Sequence, residues 1–223
     1  MERVEVDELD KNYAAQVVTS TRRVTEKRPF SHDEVQKIFS YLKTHGMTQW
    51  AFACMAAYHN GFRLSDATSL KVSDFVTDTT GRTVVMVSPK KKSRGGERKP
   101  IPFPVTGEFK ELYLELAPNA VDGKLTPDLP SRSNASKQFV RIIGSAGVET
   151  QKTGSEQGNK VHSLSFHSWR RTSKTNMDNA GVHPRVADRI NDHDDPRTAR
   201  LYSEIGIEAM EEAVGMATRR VWG

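Results

Sequence analysis

The last third of the chain carries histidine, arginine and tyrosine side chains at spacings that suit chemistry on a phosphate group. His167 and Arg170 are three residues apart, so on a helix they share one face. His193 follows, and Tyr202 comes nine residues after it. Far upstream, the stretch NGFRLSDATSL places Arg63 just after a glycine turn. Together these side chains offer a nucleophile, proton carriers and two cations for one anionic substrate.

A tyrosine phenol needs help to attack phosphorus, because its ordinary pKa of about 10 leaves it protonated at neutral pH. It requires a nearby base and a stabilised transition state. Guanidinium groups match the non-bridging phosphate oxygens bidentately, which makes Arg63 and Arg170 candidates for a clamp. His193 can donate a further hydrogen bond to the phosphate, and His167 can accept the tyrosine proton or hold the phosphate. Such a set of side chains suits attack of a tyrosine phenol on a phosphate ester, with Tyr202 as the candidate nucleophile.

In chain order, Arg63, His167-x-x-Arg170, His193 and Tyr202 resemble the catalytic signature of the tyrosine recombinases, the phage-integrase family. The resemblance implies a site-specific recombinase acting on duplex DNA through a 3′-phosphotyrosyl intermediate. It favours His167 as the general base. Asp66, three residues after Arg63, is expected to orient that arginine without touching the phosphate.

A basic hairpin is predicted upstream of these motifs. The β-branched run at 83–87 is followed by a lysine-rich, glycine-containing tip and then by a proline-rich strand that suits only a sheet edge. In the tyrosine recombinases a hairpin here carries a lysine, and the pattern K…R-x-I-P resembles it. Lys92 fits best as the acid that protonates the leaving 5′-oxygen, with Lys91 as the alternative. The residues expected to bind the DNA backbone are Lys90, Lys91, Arg94, Arg98 and Arg171.

Each motif alone has an ordinary structural explanation. A histidine and an arginine three apart are common as a surface pair, and a lysine-rich loop is often simply solvated. Asp192, His193, Asp194 and Asp195 could instead bind a divalent metal, although two arginines meant for the same pocket argue against it. We therefore expect neither a metal nor a cofactor. The alternatives for function are a type IB topoisomerase-like DNA relaxation and a non-catalytic DNA-binding module with a vestigial site.

Two residues depart from the pattern of the tyrosine recombinases. Asp192 stands before the second histidine, where these proteins usually have glycine, and it adds a carboxylate beside the phosphate site. Trp169 stands inside the H-x-x-R motif, where a smaller aliphatic residue is more common. Neither departure removes a catalytic group.

Composition agrees with a polyanionic partner. The formal net charge is +5, the pI is about 9.3, and the basic residues are clustered. Cys54 is the only cysteine, so no disulfide can form within the chain. The apolar run around it is too short to span a bilayer, and the acidic N-terminus is unlike a signal peptide. We expect a cytoplasmic, nucleoid-associated protein with no membrane partner.

Helical periodicity dominates the chain. Ser31 and Glu34 form a capping-box pattern at the start of one helix, and Thr48 to Asn60 is apolar nearly all round, as in a buried helix. Further helices are expected from Phe109 and from Ser133, and residues 148–163 are expected to form a polar loop. The predicted class is mixed, mainly α with a small antiparallel β-sheet or hairpin, the fold of the tyrosine recombinase catalytic domain.

We divide the chain into an N-terminal arm or linker (1–29), a catalytic domain (30–205) and a tail helix (206–223). The arm is too short to form the helical domain that normally precedes this one in tyrosine recombinases. The tail has an apolar stripe of Ile207, Met210, Val214, Ala217 and Val221. It can pack on its own domain, but the resemblance suggests docking on a neighbouring recombinase. The expected partners are duplex DNA and other protomers, with a free monomer and a tetramer in the synapse.

Overall fold

The structure is a computed structural model, and it describes residues 27–88, 100–130, 132–150, 152–154, 160–191 and 205–218. Within these ranges helices dominate and the strands form one small three-stranded sheet and one hairpin, which confirms the predicted class. The helices are α1 (His32–Thr44), α2 (Thr48–Asn60), α3 (Leu64–Ala67), α4 (Gly107–Leu116), α5 (Arg132–Ser145), α6 (His167–Asn179), α7 (Pro184–Ile190) and α8 (Ile207–Ala217). The strands are β1 (Phe75–Thr77), β2 (Thr83–Val87), β3 (Ile101–Pro104), β4 (Lys152–Gly154) and β5 (Lys160–His162).

The first helix begins at the predicted capping box. The Ser31 hydroxyl accepts a hydrogen bond from the Glu34 backbone N–H at 3.2 Å, and the Glu34 carboxylate accepts one from the Ser31 N–H at 2.8 Å. Arg28 holds the Glu34 carboxylate from the other side at 2.7 Å, which lowers the pKa of Glu34. Two backbone donors at the start of α1 are thereby satisfied, which fixes where the domain begins.

Helix α2 is the centre of the fold, because every residue from Trp50 to Asn60 is buried. This confirms the prediction from its all-round apolar pattern. Cys54 is fully buried within it, and burial raises the pKa of its thiol far above the ordinary range. Gly61 ends the helix in the left-handed conformation, at φ 62°, which glycine adopts without steric cost.

The three-stranded sheet is antiparallel in the order β1–β2–β3. Val85 is paired with Phe103 on its buried face, and Met86 is paired with Pro102. The two prolines of β3 lie on an edge strand, as predicted. Proline has no backbone N–H to donate, so it is tolerated where no further strand pairs with it. Strand β1 was not predicted, since three residues are too few to show periodicity.

The expectation of an irregular loop over residues 148–163 was wrong. Strands β4 and β5 pair antiparallel there, with Lys152 opposite His162 and Gly154 opposite Lys160. The strands have only three residues each and a polar composition, so their pairing leaves no hydrophobic alternation in the sequence.

Two separate hydrophobic clusters support the fold. The main cluster joins α1 to α5, the three-stranded sheet and the start of α6. Trp169 is fully buried in it, with ring centroids 4.6 Å from Phe30, 5.3 Å from Phe39, 5.8 Å from Tyr58 and 6.5 Å from Phe139. The second cluster joins the end of α6 to α7 and α8. Its buried members are Met177, Val182, Ala187, Ile190, Met210, Ala213, Val214 and Ala217.

The tail helix α8 lies against its own domain. Of the predicted apolar stripe, Met210, Val214 and Ala217 are buried in the second cluster. Arg82, at the turn between β1 and β2, donates hydrogen bonds to Glu208 at 2.6 Å and to Glu211 at 3.0 Å. No helix among the described residues is long and apolar enough to cross a membrane.

Candidate active site

Arg63 is held at the turn between α2 and α3. Phe62 before it is buried, with its ring edge-on to Phe103 at 4.9 Å between centroids. Arg63 itself precedes α3 in an extended conformation, and its side chain is 28% exposed. The buried phenylalanine anchors the turn, so the arginine beside it reaches the surface from a fixed point of the backbone.

Asp66 lies one helical turn after Arg63 and is buried. Its carboxylate oxygen is 3.9 Å from the nearest guanidinium nitrogen of Arg63, which is within the range of an ion pair. Ser65 donates a hydrogen bond to the other carboxylate oxygen at 3.4 Å. A buried carboxylate at this distance attracts the Arg63 guanidinium. That Asp66 orients Arg63 for a phosphate stays a prediction.

His167 is the first residue of α6, and its side chain is exposed. Ser165 and Ser168 fix this helix start, because the Ser168 N–H donates to the Ser165 carbonyl at 2.8 Å and the Ser165 N–H donates to the Ser168 hydroxyl at 3.2 Å. Trp169 anchors the same turn in the main cluster. The unpaired N–H groups and the positive dipole at a helix N-terminus attract anions, so His167 stands where a phosphate is favoured.

Arg170 is buried, although it carries a permanent charge. Its Nη1 donates a hydrogen bond of 2.8 Å to the Gly61 carbonyl. Ser173, one turn later, donates to the His59 carbonyl at 3.5 Å. The last carbonyls of a helix lack partners within it and form the negative end of its dipole. The C-terminal end of α2 therefore receives the Arg170 guanidinium and stabilises its charge.

Two clefts meet at His167. The first has a volume of about 650 Å³ and is lined by Arg63, Leu64, Ser65, Ser133, Ser136, Ser165, Phe166 and His167. The second has a volume of about 330 Å³ and is lined by Pro29, His167, Arg170, Arg171, Lys174 and Thr175. His167 lines both, so the structure brings Arg63, His167 and Arg170 to one continuous surface.

Arg171 and Lys174 give the second cleft a basic wall. Arg171 is partly exposed, as a DNA-backbone contact requires. Lys174 pairs with Asp178 at 2.6 Å and with Asp188 at 3.5 Å. Two carboxylates therefore already offset the charge of Lys174.

The other predicted site residues lie outside the described residues. They are Lys90, Lys91, Lys92, Arg94, Arg98, His193 and Tyr202, together with the acidic residues Asp192, Asp194 and Asp195. Among the residues that the structure does describe, no group of histidine, cysteine and carboxylate side chains is placed to hold a metal ion.

Sequence reasoning missed the serine-rich wall of the first cleft. Ser133 and Ser136 come from the first turns of α5 and Ser165 precedes α6, while Ser65 follows Arg63. The spacing of Ser133 and Ser136 near a helix start was visible in the sequence. Its relation to Arg63 was not, because about 70 residues separate them and only the fold joins them.

Comparison with known proteins gives a match to one protein family. The family model described as "Phage integrase family" matches residues 28–206. A search of the curated proteins by sequence finds no match for this chain.

Solved structures share the fold at low sequence identity. A lambda integrase dimer bound to a COC′ core site superposes with a TM-score of 0.62 at 18% identity, over 88% of this chain and 67% of that one. The integrase from mycobacterium phage Brujita gives 0.61 at 16% identity, over 88% and 60%. XerH recombinase bound to difH substrate before cleavage gives 0.55 at 17% identity, over 84% and 54%. The chain thus spans between about half and two thirds of these proteins.

Proposed function

Because this chain belongs to the phage integrase family, whose model covers residues 28–206, we propose that it is the catalytic domain of a site-specific DNA recombinase. It cleaves and rejoins duplex DNA through a 3′-phosphotyrosyl intermediate. The observation that carries the proposal is the meeting of Arg63, His167 and Arg170 at the N-terminus of α6. Residues more than 100 positions apart in the sequence are brought to one anion-favouring surface.

Arg63 and Arg170 stabilise the negative charge that develops on the phosphate. Charge builds on the non-bridging oxygens as the pentacoordinate transition state forms, and guanidinium donors placed in advance stabilise it without reorganisation. Arg170 donates to the Gly61 carbonyl, and Arg63 lies in the turn that begins at Gly61. The same short backbone segment therefore positions both cations. His193 adds a third donor to the same phosphate.

Protons move in opposite directions during cleavage. The Tyr202 phenol gives its proton to His167 and its oxygen forms a bond to phosphorus, while the bond from phosphorus to the 5′-oxygen breaks. Lys92 protonates that leaving oxygen, which departs as a 5′-hydroxyl. The covalent bond to Tyr202 conserves the energy of the broken phosphodiester, so a 5′-hydroxyl attacking in reverse rejoins the strand without ATP.

The reaction needs no cofactor in this proposal, because arginines supply the cationic charge that Mg²⁺ supplies elsewhere. The backbone of the duplex is bound by Lys90, Lys91, Arg94 and Arg98 on the predicted hairpin and by Arg171 beside the second cleft. On DNA the protomers assemble, and the tail helix docks on a neighbour in place of its own domain.

The test is a cleavage assay on a nicked suicide substrate, in which the 5′-fragment diffuses away and the covalent adduct accumulates. Tyr202→Phe should bind this DNA like the wild-type chain and form no SDS-resistant adduct. Tyr113→Phe is the matched control, because Tyr113 stacks on Phe75 far from the clefts and should keep full activity. An adduct in Tyr202→Phe, or none in the wild-type chain, would refute the assignment.

Two further experiments test whether cleavage needs a metal ion and which lysine acts as the general acid. Excess EDTA should leave cleavage unchanged, whereas loss with EDTA and recovery with Mg²⁺ would revive the metal interpretation of Asp192 to Asp195.

Lys92→Ala should abolish cleavage while Lys91→Ala retains it. The double substitution of Lys91 and Lys92 should reduce the slope of log affinity against log salt concentration by about two, if each lysine neutralises one phosphate.

A further inference from the structure

Asn191 is a fully buried polar residue that no step above uses. It follows α7, and its side-chain Nδ2 donates a hydrogen bond of 2.9 Å to the Ala187 carbonyl, which also accepts the Asn191 backbone N–H at 3.0 Å. Nδ2 also lies 3.7 Å from the sulfur of Met177. These donor contacts assign Nδ2 and leave Oδ1 on the opposite side of the amide.

The Asn191 Oδ1 has no hydrogen-bond partner among the described residues. It lies against Gly61: a Cβ built on that glycine would be 2.3 Å from Oδ1, closer than atoms can approach. Gly61 is therefore required for two reasons, its positive φ and the close approach of Asn191. An unpaired buried amide oxygen is costly, so its placement against the Gly61 Cα calls for a compensating role.

The contact links Asn191 through Gly61 to one candidate catalytic arginine. Arg170 donates to the Gly61 carbonyl, and Asn191 packs on the Cα of the same residue. Met177, which touches Asn191, lies seven residues after Arg170 and hence on the same face of α6. Gly61 thus lies between Asn191 and Arg170 and contacts both of them.

We propose that Asn191 is a positioning residue. It packs against Gly61 and so fixes the Gly61 carbonyl, which accepts the hydrogen bond that orients Arg170 toward the phosphate. This inference rests on the proposed recombinase function only for its effect on catalysis. Without the amide, the space behind Gly61 lets the turn relax toward α7. The Arg170 guanidinium moves with its acceptor, and a displacement of about 1 Å at a reacting centre can cost about a hundredfold in rate.

The first test needs no DNA. In a ¹⁵N side-chain spectrum, the Arg170 Nε–H signal is assigned by its loss in Arg170→Lys and is compared between wild type, Asn191→Ala and Val182→Ala. Val182 is buried in the second cluster and controls for lost packing. Asn191→Ala should shift or broaden the Arg170 signal, and Val182→Ala should leave it in place. An Arg170 signal that is the same in all three proteins overturns the proposal.

A double-mutant cycle tests the contact itself. In Gly61→Ala the new methyl group meets Oδ1 at 2.3 Å and Cγ at 3.0 Å. In Gly61→Ala with Asn191→Ala both of these atoms are gone, while the backbone Cα of residue 191 stays at 3.4 Å. The loss of melting temperature caused by Gly61→Ala should therefore be smaller in the Asn191→Ala background, where backbone strain alone remains. Additive losses would show that the two residues do not touch, and would overturn the proposal.

The catalytic arm uses single-turnover cleavage of the suicide substrate. Asn191→Ala should slow cleavage about tenfold or more while the Kd for the substrate changes by less than about twofold. Asn191→Leu, which keeps the bulk behind Gly61, should recover most of the rate. Equal slowing by Val182→Ala would mean general loss of packing and would contradict the positioning role. If wild type fails to cleave while the Arg170 signal still responds to Asn191→Ala, the recombinase proposal fails and the positioning of Arg170 stands.

Discussion

The two hydrophobic clusters support different parts of the candidate site with different side chains. The main cluster is rich in aromatic rings, with Trp169 at its centre, and it carries Arg63, His167 and Arg170. The buried members of the second cluster are aliphatic and methionine side chains. Ile190 and Ile205, which flank the segment that contains His193 and Tyr202, both belong to it.

In the proposed function, the residues that would bind the phosphate therefore belong to one cluster, and the segment that contains the proposed nucleophile adjoins the other. Aromatic side chains bury more area and lose more contact when a core opens, so we expect Arg63, His167 and Arg170 to rest on the more stable part of the fold. A smaller cluster of alanine, valine and methionine opens at lower free energy, and parts that move are drawn from that end of the stability range. The comparison predicts that the second cluster opens without the first.

The largest expected effect is that of Trp169→Ala in the main cluster. Removing a fully buried tryptophan should lower the free energy of unfolding by about 3–5 kcal/mol, because it removes apolar contact and leaves a cavity. Urea denaturation followed by far-UV circular dichroism measures the change. If Trp169→Ala lowers the free energy of unfolding less than Met210→Ala does, the main cluster is not the more stable of the two.

The next effect is the pH dependence of stability caused by His59, which is buried at the end of α2. It tests whether the surroundings of α2 stay closed until the whole protein unfolds. Burial lowers the pKa of His59 to about 4, from an unfolded value of about 6.5. Because the folded pKa is the lower one, the unfolded chain binds a proton on His59 below pH 6.5 that the folded protein does not bind. The free energy of unfolding is therefore unaffected by His59 above pH 6.5 and falls as the pH is lowered from 6.5 toward 4. The loss should reach about 3 kcal/mol.

His59→Leu is the check on this pH dependence. It should flatten the stability profile between pH 6.5 and pH 4 in urea denaturation measured at several pH values. His183→Leu is the matched control, since His183 lies at the start of α7 and is outside the main cluster. An unchanged profile in His59→Leu would assign the acid sensitivity to another group.

A smaller effect is expected from Met210→Ala in the second cluster. The substitution should cost about 2 kcal/mol, near the lower limit for a buried methionine. Hydrogen exchange should accelerate in α7 and α8 and leave the amides of α2 nearly unchanged, since the cluster opens locally. Equal acceleration in α2 would show that the two clusters unfold as one unit.

The smallest effect is that of Arg82→Gln, which removes the ion pairs to Glu208 and Glu211. The Glu208 carboxylate is exposed and the Glu211 pair is only partly buried, so the global melting temperature should hardly move. Exchange in α8 should nonetheless rise at low salt, and the difference from wild type should vanish at about 1 M salt, where surface charges are screened. Lys124→Gln, at a position whose backbone pairs with Lys71 and Val121, is the control and should change neither quantity.

Local patterns in the sequence predicted much of the architecture. The capping box at Ser31 and Glu34 and the all-round burial of α2 both depend on neighbouring residues, and the structure confirms them. The pairing of β4 with β5 depends on backbone hydrogen bonds between polar residues, which no hydrophobic period reports. For the tail, the sequence predicted the apolar stripe but not the Arg82 contacts that hold it on its own domain.

The site was predicted from residue types and order, not from contacts. The turn at Gly61 was visible as a glycine before Arg63, and the shared helix of His167 and Arg170 followed from their spacing. The packing of Asn191 on Gly61 joins residues 130 positions apart, so no local pattern could reveal it. The burial of Arg170 was also unpredictable, because it depends on the carbonyl end of another helix.

The burial of Cys54 has a practical consequence for labelling experiments. A thiol reacts as the thiolate, and the only cysteine of the chain is both shielded and held protonated inside α2. The native protein therefore serves directly as a background for single-cysteine chemistry, without a cysteine-free variant. A cysteine introduced in place of the exposed Met216 on α8 would be the single site that takes a fluorophore, and its signal would report any change in the surroundings of the tail helix.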